Sequence, residues 1–309
     1  MIKIDIISGF LGSGKTTFIK KLLSAYYKDK KVVLIENEYG EVGVDGLLFK
    51  NENIQVRELY SGCICCSLNT DFTKSLKEVI ELFKPDTVIV EPSGVGKLSE
   101  VIQNCIPLVK QNLVSINHKF TIVDVMKYSV YLKNFKEFYD DQIKYCDAVL
   151  LSRVDVCDEI KVREVISSIQ NKYHKKYIVS LEQNLLDDTI VNYIMSTKSV
   201  VHSENDMHCN CHHNHVVHNV DDVFSSWGIK LEKSYKYEYI KEILEQFNSG
   251  SFGNIIRAKG IFKCEDGLFY EFSFVPDEIK VIPCNYISSG CICVVGFKPN
   301  KEKLERAFV

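Results

Sequence analysis

The sequence predicts an α/β fold, a mostly parallel sheet with flanking helices, followed by a small α+β C-terminal domain. Three observations carry that prediction. Strand-like and helix-like runs alternate through the first two-thirds of the 309 residues, the pattern of strands joined by helical crossovers. Several strands are nearly continuous apolar runs, such as Val32-Val33-Leu34-Ile35 and Thr87-Val88-Ile89-Val90, as expected where both sheet faces are covered. Composition then changes sharply near residue 197, and β-rich runs dominate the remainder.

In chain order, strands are expected at Ile2–Ile7, Lys31–Glu36, Asn53–Glu58, Thr87–Glu91, His118–Asp124, Ala148–Ser152 and Tyr177–Ser180. Helical spacing of apolar residues is found in Thr16–Tyr27, Asp71–Phe83, Lys97–Asn104, Phe135–Cys146, Glu159–Lys172 and Asp187–Tyr193. Residues His202 to Asp222 hold six of the eight histidines and show no apolar period, which reads as a linker. The expected division is residues 1–197, a linker 198–222, and a second domain 223–309. That domain has strands Val223–Leu231, Ile255–Lys263, Leu268–Val275, Glu278–Pro283 and Cys291–Phe297, with helices Tyr237–Phe247 and Lys301–Phe308. Glu265-Asp266-Gly267 is a hairpin signal between two of the strands.

The most specific local feature is Gly9-Phe10-Leu11-Gly12-Ser13-Gly14-Lys15-Thr16, which matches G-x-x-x-x-G-K-[ST] between a strand and a helix. That context is what a phosphate-binding loop requires, so the first domain is read as a P-loop NTPase domain. Backbone N–H groups of Gly9, Gly12, Ser13 and Gly14 cradle phosphate oxygens. Lys15 supplies a charge for the β- and γ-phosphates, Thr16 offers a hydroxyl to Mg²⁺, and the helix that follows points its positive end at the anion.

A net charge of −3 argues against nucleic-acid and anionic-membrane partners. No apolar run approaches the ~20 residues needed to span a bilayer, and the N-terminus has no signal-peptide core. The expected location is the cytoplasm, where the twelve cysteines stay reduced and clustered ones favour metal over disulfides.

Gly62-Cys63-Ile64-Cys65-Cys66 places three thiols within four residues, between a strand and a helix. Thiolates select Zn²⁺, Co²⁺ or Cu⁺ over Mg²⁺, and three sulfurs leave a fourth position open. The competing reading is a set of small buried hydrophobes. The echo at Cys291-Ile292-Cys293 is read as a buried strand, because alternate residues share one face. In the linker, His208, Cys209, Cys211, His212, His213, His215 and His218 form an auxiliary metal-capturing tract, or a solvated spacer.

Taken in order, Gly9–Thr17, Glu36-Asn37-Glu38-Tyr39-Gly40-Glu41, Cys63–Cys66 and Glu91-Pro92-Ser93-Gly94 resemble the motifs of the CobW-like GTPases, relatives of the HypB and UreG maturation GTPases. Arg257-Ala258-Lys259-Gly260 and Val294–Phe297 resemble that family's second domain. The resemblance implies GTP hydrolysis coupled to handling of a transition metal, with GTP, Mg²⁺ and Zn²⁺ (or Co²⁺ or Ni²⁺) as ligands and a client metalloprotein as partner. Oligomeric state is left open. By position, Gly12, Gly14, Lys15, Thr16 and Thr17 hold phosphates and Mg²⁺. Glu38 and Glu41 lie in the first switch, Glu91 is the acidic residue near Mg²⁺, and Gly94 is the switch glycine. Cys63, Cys65 and Cys66 are the metal thiols. Lys15, Glu38 and Glu91 are the expected catalytic residues.

One place departs from the family pattern. Where Asn-Lys-x-Asp reads guanine, this chain has Ser152-Arg153-Val154-Asp155. Asp155 can accept from guanine N1 and N2, and Arg153 can stack on the base as Lys would. GTP is therefore expected over ATP. Alternatives to metal delivery are a nucleotide-driven chaperone or interaction switch with a structural zinc, and cobalt delivery for cobalamin synthesis.

Overall fold

In the computed structural model, residues 1–36, 54–58, 70–175, 177–181, 188–196, 225–284 and 290–309 are described. The first sheet has seven strands, all parallel: β1 (Ile2–Gly9), β2 (Val32–Glu36), β3 (Ile54–Glu58), β4 (Thr87–Glu91), β5 (Val114–Asp124), β6 (Ala148–Ser152) and β7 (Tyr177–Leu181). Their spatial order is β3-β2-β4-β1-β5-β6-β7. Helices α1 (Lys15–Ala25), α2 (Thr70–Phe83), α3 (Leu98–Lys110), α4 (Tyr128–Asn134), α5 (Lys136–Tyr145), α6 (Glu159–Tyr173) and α7 (Asp188–Ser196) provide the crossovers and cover the sheet. Every residue of β2 and β4 is buried, as the apolar runs predicted. Two cores result. One holds Val33, Val88, Leu98 and Val123, and the other holds Phe18, Leu22, Leu34 and Leu150.

Three elements of this sheet and its helices depart most from the expected bounds. Strand β5 begins at Val114 rather than His118. Its pairing with β1 shifts register between Ile4 and Asp5, so that Ile116 pairs with Ile4 and His118 with Asp5. Asn117 is the extra residue, and its amide donates to Asp5 Oδ1 at 2.8 Å. The bulge breaks the two-residue alternation that would have revealed the strand. Helix α3 continues past Asn104 to Lys110 with Pro107 inside, because the buried face Val101, Ile102, Cys105, Leu108 carries on past the proline. Helix α4 was not expected. Only Tyr128 and Tyr131 of its seven residues are buried, too few for a periodic signal.

The second sheet is built from β8 (Ser225–Leu231), β9 (Ser234–Tyr235), β10 (Asn254–Cys264), β11 (Phe269–Val275), β12 (Glu278–Cys284) and β13 (Gly290–Phe297), with helices α8 (Tyr237–Phe247) and α9 (Lys301–Phe308). Its main path runs β12-β11-β10-β13-β8, antiparallel throughout. Cys264 and Leu268 close the β10–β11 hairpin, with Leu268 O accepting from Cys264 N at 2.8 Å, at the turn the sequence marked. One face of this sheet packs Ala258, Phe262, Phe272, Phe274, Ile292 and Val294 against α8 and α9. On the other face Ile256, Cys293 and Val295 join the core of the first sheet. Cys291 and Cys293 are thus buried strand residues, as read. No described helix is long and apolar enough to cross a membrane. The linker and both its expected boundaries lie outside the described residues.

Candidate functional site

The loop after β1 is held open by backbone geometry and by one aromatic ring. Gly14 adopts φ +103° as the N-cap of α1, a conformation side chains with a Cβ rarely take. Phe10 is buried, its ring centroid 4.5 Å from that of Tyr131 and 5.0 Å from that of Phe135. The unexpected helix α4 therefore supplies part of the cage that anchors the loop. On the other side Gly94 meets the loop so closely that a Cβ there would lie 2.8 Å from Leu11 N. Gln142 fixes that turn by donating to the carbonyls of Gly94 at 3.1 Å and Gly96 at 2.8 Å.

Lys15 is buried, with its ammonium 3.9 Å from Glu91 Oε1 and 3.5 Å from the Phe10 carbonyl it donates to. The Thr16 hydroxyl donates to the same Glu91 oxygen at 3.4 Å. Glu91 ends β4, and in register beside it Glu36 ends β2; both are buried. A hydroxyl and two carboxylates at the carboxyl ends of adjacent parallel strands form a hard-oxygen donor set that fits Mg²⁺. Glu36 was not among the expected site residues. Its signal was the one used for Glu91, a carboxylate terminating an apolar strand.

The segment Ser152–Asp155, expected to read the base, begins at the last residue of β6. Ser152 Oγ donates to the Ser13 carbonyl at 2.7 Å, so the serine ties this segment to the phosphate loop. Arg153 takes φ +61°. Its Nε lies 3.0 Å from Asp124 Oδ2, and its Nη1 donates to Glu278 of β12. Burial would raise the Glu278 carboxyl, but the Arg153 guanidinium outweighs it and holds the group below its usual value. Burial raises Asp124 despite the same guanidinium. Asp155 is exposed.

Lys15, Thr16, Glu91, Ser152, Arg153, Asp155 and Glu278 line one cleft of about 490 Å³. Gly12, Ser13, Gly14, Lys15, Thr16, Thr17 and Glu91 form its phosphate end, while Arg153, Asp155 and Leu181 form the other. The cleft's roof comes from the second sheet, including Arg257, Lys259, Ser273 and Lys280. Gly9 and Gly94 stand behind the loop rather than on the cleft wall. Glu38, Glu41, Cys63, Cys65, Cys66 and the linker ligands His208, Cys209, Cys211, His212, His213 and His215 lie outside the described residues. Among the described residues no group of three His, Cys, Asp or Glu side chains is arranged to hold a metal.

Comparison with known proteins matches residues 3–180 to the family described as CobW/HypB/UreG, nucleotide-binding domain. The zinc chaperone YjiA of Escherichia coli is 26% identical over 272 residues, covering 84% of this chain and 81% of YjiA. The zinc chaperone YeiR of the same organism is 29% identical over 155 residues, half of this chain and 47% of YeiR. The zinc-regulated GTPase metalloprotein activator 1 of Dictyostelium discoideum is 23% identical over 306 residues, covering 84% of this chain and 62% of that protein. Among solved structures, Zn(II)-bound YjiA from E. coli aligns over 99% of this chain and 98% of its own, at 18% identity and a TM-score of 0.44.

Proposed function

Because this chain belongs to the CobW/HypB/UreG family and is a GTPase of it, we propose that it is a metallochaperone. In this reading it carries a transition metal, zinc first, on Cys63, Cys65 and Cys66 and releases it to a client metalloprotein as GTP is hydrolysed. The observation that carries the nucleotide half is the convergence of Lys15, Thr16 and Glu91 on one oxygen-rich point beneath the phosphate loop. The metal half is supported by the spacing of the three thiols and by relatives that are named zinc chaperones.

The chain's residues divide the work along the cleft. Backbone N–H groups of Gly12 to Thr16 and the Lys15 ammonium hold the β- and γ-phosphates, so the protein positions the reactants and neutralises charge. Thr16, Glu91 and Glu36 would hold Mg²⁺, which when bound neutralises charge on the phosphate oxygens. Asp155 accepts from guanine N1 and N2, and Arg153 offers a planar face to the base, giving GTP over ATP. Glu38 and Glu41 belong to a first switch segment and Gly94 to a second. The thiols lie between these segments in sequence, so a γ-phosphate that draws both inward also organises the cysteine loop. Hydrolysis then loosens it.

Chelation of the zinc-loaded protein tests the cargo reading. A cargo site loses its metal and leaves the circular dichroism spectrum and melting transition in place. Loss of the folded signal together with the metal would mean a structural zinc, and would leave a nucleotide-driven switch as the function. Equal displacement of labelled GTP by ATP would overturn the base assignment.

A further inference from the structure

The second sheet does more than cover the cleft. Beyond a register shift between Ile255 and Arg257, the side chains alternate: Ala258, Phe272, Phe274 and Val281 belong to that sheet's own core, and their neighbours Arg257, Lys259, Ser273 and Lys280 line the cleft. The order of the residues across the strands gives a direction. Val275 pairs with Glu278 on β12. Arg257 stands one residue beyond the Ala258–Phe274 pair on β10, and so is next in the same cross-strand row. At one end of the row Glu278 holds Arg153 of the base-reading segment. In the middle Val275 sits on the crown of the phosphate loop: a Cβ on Gly12 would lie 2.5 Å from its Cγ1. The remaining end, Arg257, lines the cleft past the crown, on the side away from Arg153. Arg257 also acts electrostatically on Tyr131, whose hydroxyl donates to the Leu11 carbonyl of the loop at 3.4 Å.

We propose that Arg257 is a catalytic arginine supplied in cis by the second sheet, placed by the Glu278–Val275–Arg257 row to contact the γ-phosphate of GTP. The inference rests on the GTPase reading and deepens it. In the reaction the water oxygen bonds to the γ-phosphorus, and the bond from that phosphorus to the β–γ bridging oxygen breaks. The electron pair stays on the oxygen that departs with GDP. Both water protons remain with the products, so GTP and water become GDP and dihydrogen phosphate. Negative charge grows on the bridging and β-phosphate oxygens as the bond breaks, and a guanidinium fork at the γ-phosphate offsets it where Lys15 cannot reach from below. The arrangement also makes turnover depend on how the second sheet sits on the first, since the arginine and the loop belong to different sheets.

The test uses the full chain with Mg²⁺. Single-turnover phosphate release and equilibrium binding of fluorescent GDP are measured for the unmodified protein, Arg257→Gln and Arg257→Lys. Arg257→Gln should slow release about a hundredfold while GDP affinity stays within about twofold, because the contact forms to the γ-phosphate. It should also lose the binding of aluminium fluoride with GDP, a mimic of the transferring phosphoryl group. Arg257→Lys keeps charge and packing and should still lose about tenfold, since an ammonium lacks the planar fork. Release within twofold of the unmodified rate in either folded variant overturns the inference and leaves the GTPase reading standing. An unmodified protein that releases no phosphate overturns both.

Discussion

The two sheets of this protein place chemistry in different ways. The parallel sheet is covered by helices on both faces, and the polar groups nearest the cleft stand at the carboxyl ends of its strands. Glu36, Glu91, Asp124 and Ser152 all stand at such ends, around the loop that follows β1. The antiparallel sheet has one face on α8 and α9 and the other against the first sheet. Its cleft-lining side chains are therefore spread along β10, β11 and β12, from Lys259 within β10 to Glu278 at the start of β12. The lesson is that a site assembled from both sheets is half encoded in motifs and half in the choice of strand face.

Predictions follow from breaking each half in turn. Lys15→Ala removes the charge beneath the phosphates, and GTP turnover should fall at least about a hundredfold, measured by phosphate release. Glu91→Gln keeps the shape of β4's end but weakens the oxygen donor set; turnover should fall roughly thirtyfold and need more Mg²⁺ for half-maximal rate, read from a magnesium titration. A variant that binds Mg²⁺–GTP and turns over like the unmodified protein would remove Glu91 from the site.

Glu100 on α3 sharpens the contrast because it lies away from both halves of the cleft. Its Oε2 is buried without a hydrogen-bond partner among the described residues. Burial, with Asp141 and Glu137 adding and Lys97 opposing, pushes its carboxyl up to about 7. A raised folded value means the folded chain binds this proton more tightly. Stability from the group is present at low pH and is lost as pH rises from about 4.5 through about 7. Glu100→Gln should thus add about 1–2 kcal/mol at pH 8 and nothing near pH 4, with turnover unchanged. Equal melting shifts at both pH values would contradict this.

The smallest effect concerns the link between the sheets. Glu278 is held below its usual value by Arg153, so its contribution is present at neutral pH and is lost as pH falls through the lowered value. Glu278→Gln should cost about 1 kcal/mol at pH 7 for this half-buried pair, and denaturant midpoints of variant and parent should converge in acid. Because Arg153 also lines the end of the cleft proposed for the base, GTP affinity should fall by about fivefold for the same energy.

The strands of the parallel sheet were legible because burial on both faces leaves continuous apolar runs. The phosphate loop was legible because its spacing leaves few alternatives. Strand β5 was read four residues short, since the bulge at Asn117 interrupts its alternation. Helix α4 was not legible, yet its Tyr131 packs on Phe10 and holds the loop. Glu36 carried a signal that was read for Glu91 and passed over for its neighbour. The cleft face of the second sheet was a different matter. Alternation in Arg257-Ala258-Lys259-Gly260 says that one face is apolar, but which element the polar face meets is decided by contacts far apart in sequence.

In the proposed function, nucleotide and metal occupancy are coupled through the segments between the two switch regions. Zinc affinity measured on one preparation with a non-hydrolysable GTP analogue, with GDP and without nucleotide tests it most directly. Zinc should bind more tightly with the analogue than with GDP, by a factor that reappears when analogue affinity is measured with and without zinc. One zinc affinity under all three conditions would contradict it.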